Sequence, residues 1–235
     1  MIQFMEPAIT ATPNCKVTEF HIKDFWSSMT HFIGFIMSFC GSLFLMQRAY
    51  STNHPIAAIS MGIFSLSMML LYAASTTYHA LDLDARRNQI LKKIDHMMIS
   101  VLIAGSYTPV CLLALPVPSG RILLAVIWSL AIAGILIKAF WVNCPKWVSS
   151  TLYIGMGWAC IFVIPMLYHT LSSSGFAWIL TGGILYTVGG IIYALKLSVF
   201  NKKHANFGSH EIFHLFVMGG SICHFILMYS EVVFM

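Results

Sequence analysis

The five residues "HEIFH", His210 to His214, match the H-E-x-x-H pattern of zinc metalloproteases. On a helix, residues four apart share a face, so both imidazoles can reach one Zn²⁺ while Glu211 stands near enough to act as a base. Such a site needs a third ligand. Six residues past His214 the chain has Gly220 where a metzincin has histidine, and Glu231 lies about 25 Å further along a continuous helix. His224 is about 15 Å away by the same count. The third ligand must come from another helix.

Other polar groups stand at suitable places. "STTYHAL" puts Ser75 and His79 one turn apart on one face, and "KKIDHMMIS" opens an apolar stretch with Asp95 and His96. Whether they meet depends on the elements that carry them. Of 235 residues, 58% are hydrophobic and only 9% are charged, against about 25% charged in soluble domains. This is the composition of one all-α integral membrane domain, with no room for a soluble domain of ordinary size. Seven helices are predicted to span the bilayer, at 29–47, 56–80, 95–115, 121–140, 149–170, 176–198 and 210–233. Turn chemistry separates them at Asn53-His54-Pro55, Pro116 to Gly120, Asn143-Cys144-Pro145, Ser172 to Gly175 and Asn201 to Ser209. Pro109 and Pro165 fall inside spans and are expected only to kink them.

Residues 1–25 read as a cytoplasmic segment without the basic start and apolar core of a secretory signal, so no cleaved leader is expected; residues 26–235 form the membrane domain. The six cysteines include no C-x-x-C pair and read as reduced packing residues. With the N-terminus inside, eleven of the thirteen Lys and Arg residues fall on the cytoplasmic side, leaving Arg48 and Arg121 opposite. The net charge of +5 then reflects topology and contact with anionic lipid, with no basic cluster suited to nucleic acid.

That orientation brings the end of the second helix and the starts of the third and seventh to one cytoplasmic depth. His79, His210 and His214 then make a three-histidine zinc site with a fourth position open. The alternative is a hydrogen-bonded His/Ser/Asp cluster that pins the helices without metal. Glu211 is explained by the helix dipole, with Ser209 capping the first turn. His31 reads as a capping or interfacial residue that could also join the site from behind. His96, turned about 100° from Asp95, reads as packing. His224 would hydrogen-bond across helices or line a cavity, whereas His21, His54, His169 and His204 read as surface residues. Gly182-Gly183 and Gly189-Gly190 mark close helix packing.

Four segments in order, "STTYH", "DHMMISVLIAGSYTP", "GGILYTVGGIIY" and "HEIFHLFV", together with "MTHFIG", closely resemble the haemolysin III family, bacterial members of the PAQR group that includes adiponectin and progestin receptors. The resemblance implies a multi-pass protein of the bacterial cell membrane with seven helices and a cytoplasmic N-terminus. It also implies a zinc site of His79, His210 and His214, with Ser75 and Asp95 beside the metal. Glu211 is not required as a base in that family.

The first functional expectation is a zinc-dependent hydrolase of ceramide-like lipid amides, a reaction suggested by the adiponectin receptors. Asp95 would accept a proton from water activated by the metal, and Ser75 would position that water or the developing oxyanion. The competing expectations are a receptor or lipid-homeostasis sensor with structural zinc, and a pore-forming cytolysin. No stripe of charged residues recurs through several helices, as a pore lining would usually need.

The charge asymmetry is tested by reporter fusions in each loop. A cytoplasm-active reporter should work after Lys93, and a periplasm-active one working there would overturn the orientation.

Overall fold

The computed structural model describes residues 22–195, 197–204 and 207–235. Seven helices are long and apolar enough to cross a membrane: α1 (Phe25–Ser51), α2 (Pro55–Ala80), α3 (Ala85–Ala114), α4 (Val117–Phe140), α5 (Lys146–Thr170), α6 (Ser173–Leu195) and α7 (Ser209–Phe234). No strand occurs among the described residues. Helices are expected in hydrocarbon because they satisfy their own backbone polar groups. Pro55 fits the first turn of α2, where its missing N–H costs nothing, and the Asp84 side chain accepts from Arg87 N at 3.0 Å to cap α3.

The predicted spans are all present, with shifted ends. Gly120 and Gly175 are helical, as are Asn201 to Lys203, which belong to a short helix, Ser198–Lys203, before α7. Local backbone hydrogen bonding won over the turn-forming character of these residues. The prolines alter hydrogen-bond spacing inside continuous spans: a π turn, Val110–Ala114, follows Pro109, and a 3₁₀ stretch, Trp158–Val163, precedes Pro165. The segment before Ile22, with Cys15 and His21, lies outside the described residues.

Neighbouring helices pack α1 on α2, α2 on α3, α3 on α4, α5 on α6, α6 on α7 and α7 back on α1. Large side chains such as Phe44, Ile122 and Phe162 face outward, as a surrounding hydrocarbon phase requires. The small-residue face of α6 does pack closely: His224 lies over Gly182, and Phe216 lies against Gly189. Between α2 and α3, a Cβ on Gly105 would fall 2.5 Å from Ser67 Cβ. That approach sets the distance between the two helices carrying His79 and Asp95.

Gly105→Val therefore has to push α2 from α3. A loss of about 1–3 kcal/mol is expected from overpacking, read as a lower unfolding midpoint in detergent. An unchanged midpoint would contradict the close approach.

Candidate metal centre

Two helix ends converge. His79 closes α2, while His210 and His214 sit in the first two turns of α7, and one ligand atom from each lies within 4.8 Å of the others. These three could hold a metal ion. The ring nitrogens carry further information. His79 Nδ1 is 3.0 Å from Asp24 Oδ2; a carboxylate only accepts, so Nδ1 bears the proton and Nε2 presents its lone pair. That bond holds the Asp24 carboxyl below the usual carboxylate range. His214 Nδ1 is 3.1 Å from Thr30 Oγ1, whose own proton goes to Ser27 O at 2.9 Å. Thr30 therefore accepts, Nδ1 of His214 is the donor, and Nε2 is again free.

His210 Nε2 approaches His79 Nε2 at 3.2 Å. Two such nitrogens need a proton or a cation between them. Neutral imidazoles offering Nε2 toward one point, two of them tied at Nδ1 to oxygen acceptors, form a donor set that fits a divalent metal.

Asp24 is held in turn by the backbone. Its N–H donates to His79 O at 2.9 Å, and Lys23 N donates to Ala80 O at 3.3 Å. Lys23 Nζ caps Tyr78 O at 3.1 Å. The short lead into α1 is thus laced to the C-terminus of α2. Sequence reasoning missed Asp24 and Thr30. The available signal was an isolated carboxylate at the mouth of an apolar span, with Thr30 nearly two helical turns further on.

Ser75 and Asp95, both buried, line one cavity with His210 and His214. The cavity also meets Leu227, seventeen residues along α7 from His210, so it runs about 25 Å through the bundle. Its walls are largely apolar, with Leu102, Ile103, Val163 and Leu167 among them.

Several single-residue expectations change. His96 is not turned away from Asp95: its Nδ1 lies 3.2 Å from Asp95 Oδ2 and 2.9 Å from Lys92 O. The side chain reaches back over the preceding turn, which the 100° step between neighbours does not capture. His31 is neither a cap nor interfacial; it is 3% exposed and stacks on the His214 ring at 3.6 Å. Ser209 does not cap α7. Gly208 occupies the N-cap position, and its N–H donates to Glu211 Oε2 at 2.8 Å. Glu211 Oε1 accepts from Ser27 Oγ at 2.5 Å, so this carboxylate ties α7 to α1. His224 lines the cavity, edge-on to Tyr186 at 5.3 Å. His54, His169 and His204 are exposed.

The bond from Asp24 to His79 leads to a direct expectation. Asp24→Asn replaces the accepting carboxylate with an amide, and metal affinity should fall about 10–100-fold, measured by competition with a chromophoric chelator. Unchanged affinity would show that His79 needs no such support.

Comparison with known proteins identifies the family. The family model for "Haemolysin-III related" proteins matches residues 21–225. "Hemolysin-3" of Bacillus cereus is 38% identical over 206 residues, 88% of this chain and 90% of the relative. The "Hemolysin-3 homolog" of Bacillus subtilis (strain 168) is 40% identical over 199 residues, covering 85% and 89%. The "Adiponectin receptor protein" of Drosophila melanogaster is 25% identical over 83% of this chain and 48% of its own length. With seven apolar helices and a match over most of its length, the chain belongs to the haemolysin III-related family as a multi-pass protein of the bacterial membrane.

Proposed function

We propose that this protein is a zinc-dependent hydrolase of long-chain lipid amides, ceramide-like in class, working at the cytoplasmic end of the bundle. One observation carries the reading: of three imidazoles whose ligand atoms converge, His210 and His214 open onto the same long apolar cavity as Asp95 and Ser75, with His79 closing the cluster behind them. His79, His210 and His214 would hold the zinc. When bound, zinc supplies a Lewis acid for the amide carbonyl and lowers the pKa of water to about 7.

The chain's own residues do the rest. Asp95 Oδ2 accepts from His96 Nδ1, which also faces the Lys92 carbonyl; this fixes the proton on Nδ1 and aims the carboxylate. The other Asp95 oxygen takes the proton from the attacking water and passes it to the leaving amine. Ser75, one turn before His79, donates its hydroxyl proton to the developing oxyanion. The apolar walls hold the acyl chain and exclude bulk water from the reacting amide. Among the described residues no Lys, Arg or Glu lines this cavity, which gives a conducting pore little support.

Turnover per bound zinc on one fluorescent ceramide tests the assignment. Asp95→Asn should keep most of its metal and lose about 10²–10⁴-fold in turnover. Glu211→Gln should keep both, because an amide can still bridge Gly208 N and Ser27 Oγ. Full activity in Asp95→Asn beside an inactive Glu211→Gln would reverse the roles.

A further inference from the structure

His31 is the most anomalous polar residue in the bundle. It is 3% exposed, and neither ring nitrogen has a protein hydrogen-bond partner. A neutral imidazole carries one donor and one acceptor, and a buried polar group left unpaired costs free energy comparable to a lost hydrogen bond. Buried side chains of this kind are normally paired.

Packing alone holds the ring. One face lies on His214 at 3.6 Å with the planes 14° apart, and Tyr72 meets it edge-on at 5.2 Å and 78°. Tyr72 is itself fixed, because its hydroxyl donates to Ser221 Oγ at 2.7 Å and Ser221 pairs with Tyr186 at 2.9 Å. The ring of Tyr72 also presses against Gly34, where a Cβ would sit only 2.8 Å from it. Two aromatic contacts thus orient His31 while leaving its polar edge uncommitted. His31 itself lines the cavity, in company with Ser75 and Asp95.

We infer that His31 is a ligand-contact residue whose ring nitrogens hydrogen-bond the carbonyl-bearing head of a long-chain acyl compound seated in the cavity. The inference rests on the proposed use of the cavity for lipid amides, but it concerns binding and stands apart from turnover. The stack on His214 places this contact beside the three-histidine cluster, so an acyl head held by His31 lies against the site while its chain follows the apolar walls. A purely packing histidine would gain nothing from its two nitrogens, and phenylalanine would serve as well.

Phenylalanine is therefore the decisive substitution. His31→Phe keeps a flat ring between His214 and Tyr72 and removes both nitrogens; His31→Gln keeps one donor and one acceptor and loses the stack. The probe is cis-parinaric acid, a fluorescent long-chain carboxylate, titrated into zinc-loaded protein in detergent, with bound zinc counted in each sample. Wild type should bind it, His31→Phe should bind about tenfold more weakly with its zinc retained, and His31→Gln should recover part of the loss. Equal binding by His31→Phe and wild type overturns the inference, as does a wild type that does not bind the probe. If His31→Phe fails to fold, His31→Gln decides alone: binding less than about tenfold weaker than wild type supports a hydrogen-bonding role, and binding about tenfold weaker or more contradicts it. Probe binding that depends on His31, in a protein that cleaves no amide, supports the inference and sinks the hydrolase reading.

Discussion

An imidazole nitrogen that has lost its proton to a hydrogen bond on the far side of the ring must find something positive in front of it. That constraint organises this molecule. Asp24 and Thr30 fix the Nδ1 sides of His79 and His214, His79 Nε2 meets His210 Nε2 at 3.2 Å, and one ligand atom of each of the three lies within 4.8 Å of the others. The lead into α1, the end of α2 and the start of α7 are all tied to this point, by Asp24 N to His79 O and by Glu211 to Ser27. Because these bonds link separate elements, the helix ends are held together as a unit.

Further along the bundle, polar contact gives way to shape. Gly105 brings α3 against α2, and Gly182 and Gly189 bring α6 against α7. Association between helices in lipid depends on such close approach, because burying apolar side chains from other apolar groups gains little. The same packing leaves a long cavity between α3, α5, α6 and α7, reached from the histidine cluster. A bilayer's hydrocarbon core is about 30 Å thick, so a cavity of about 25 Å suits an extended lipid chain better than a compact solute.

Much of this was legible in the sequence. Apolar run length fixes span number, since a helix must cross the bilayer, and all seven spans were read from it. Helix periodicity put His210 and His214 on one face, and the alternation of chain direction brought His79 and Asp95 to their level. What periodicity does not encode is where a side chain reaches. Adjacent positions on a helix suggested that His96 and Asp95 diverge, yet the imidazole folds back to the carboxylate. Glycine at position 208 let Glu211 cap its own helix, displacing Ser209 from that role. His31 was hardest to read, since the rings it packs against lie far away in the chain and nothing local marks it.

Zinc K-edge X-ray absorption on the purified protein tests the central claim most directly. One zinc per chain is expected, with three imidazole nitrogens at about 2.0–2.1 Å, and a weaker imidazole scattering signal in His79→Ala. A metal-free protein, a sulfur-rich shell, or an unchanged spectrum in His79→Ala would contradict it.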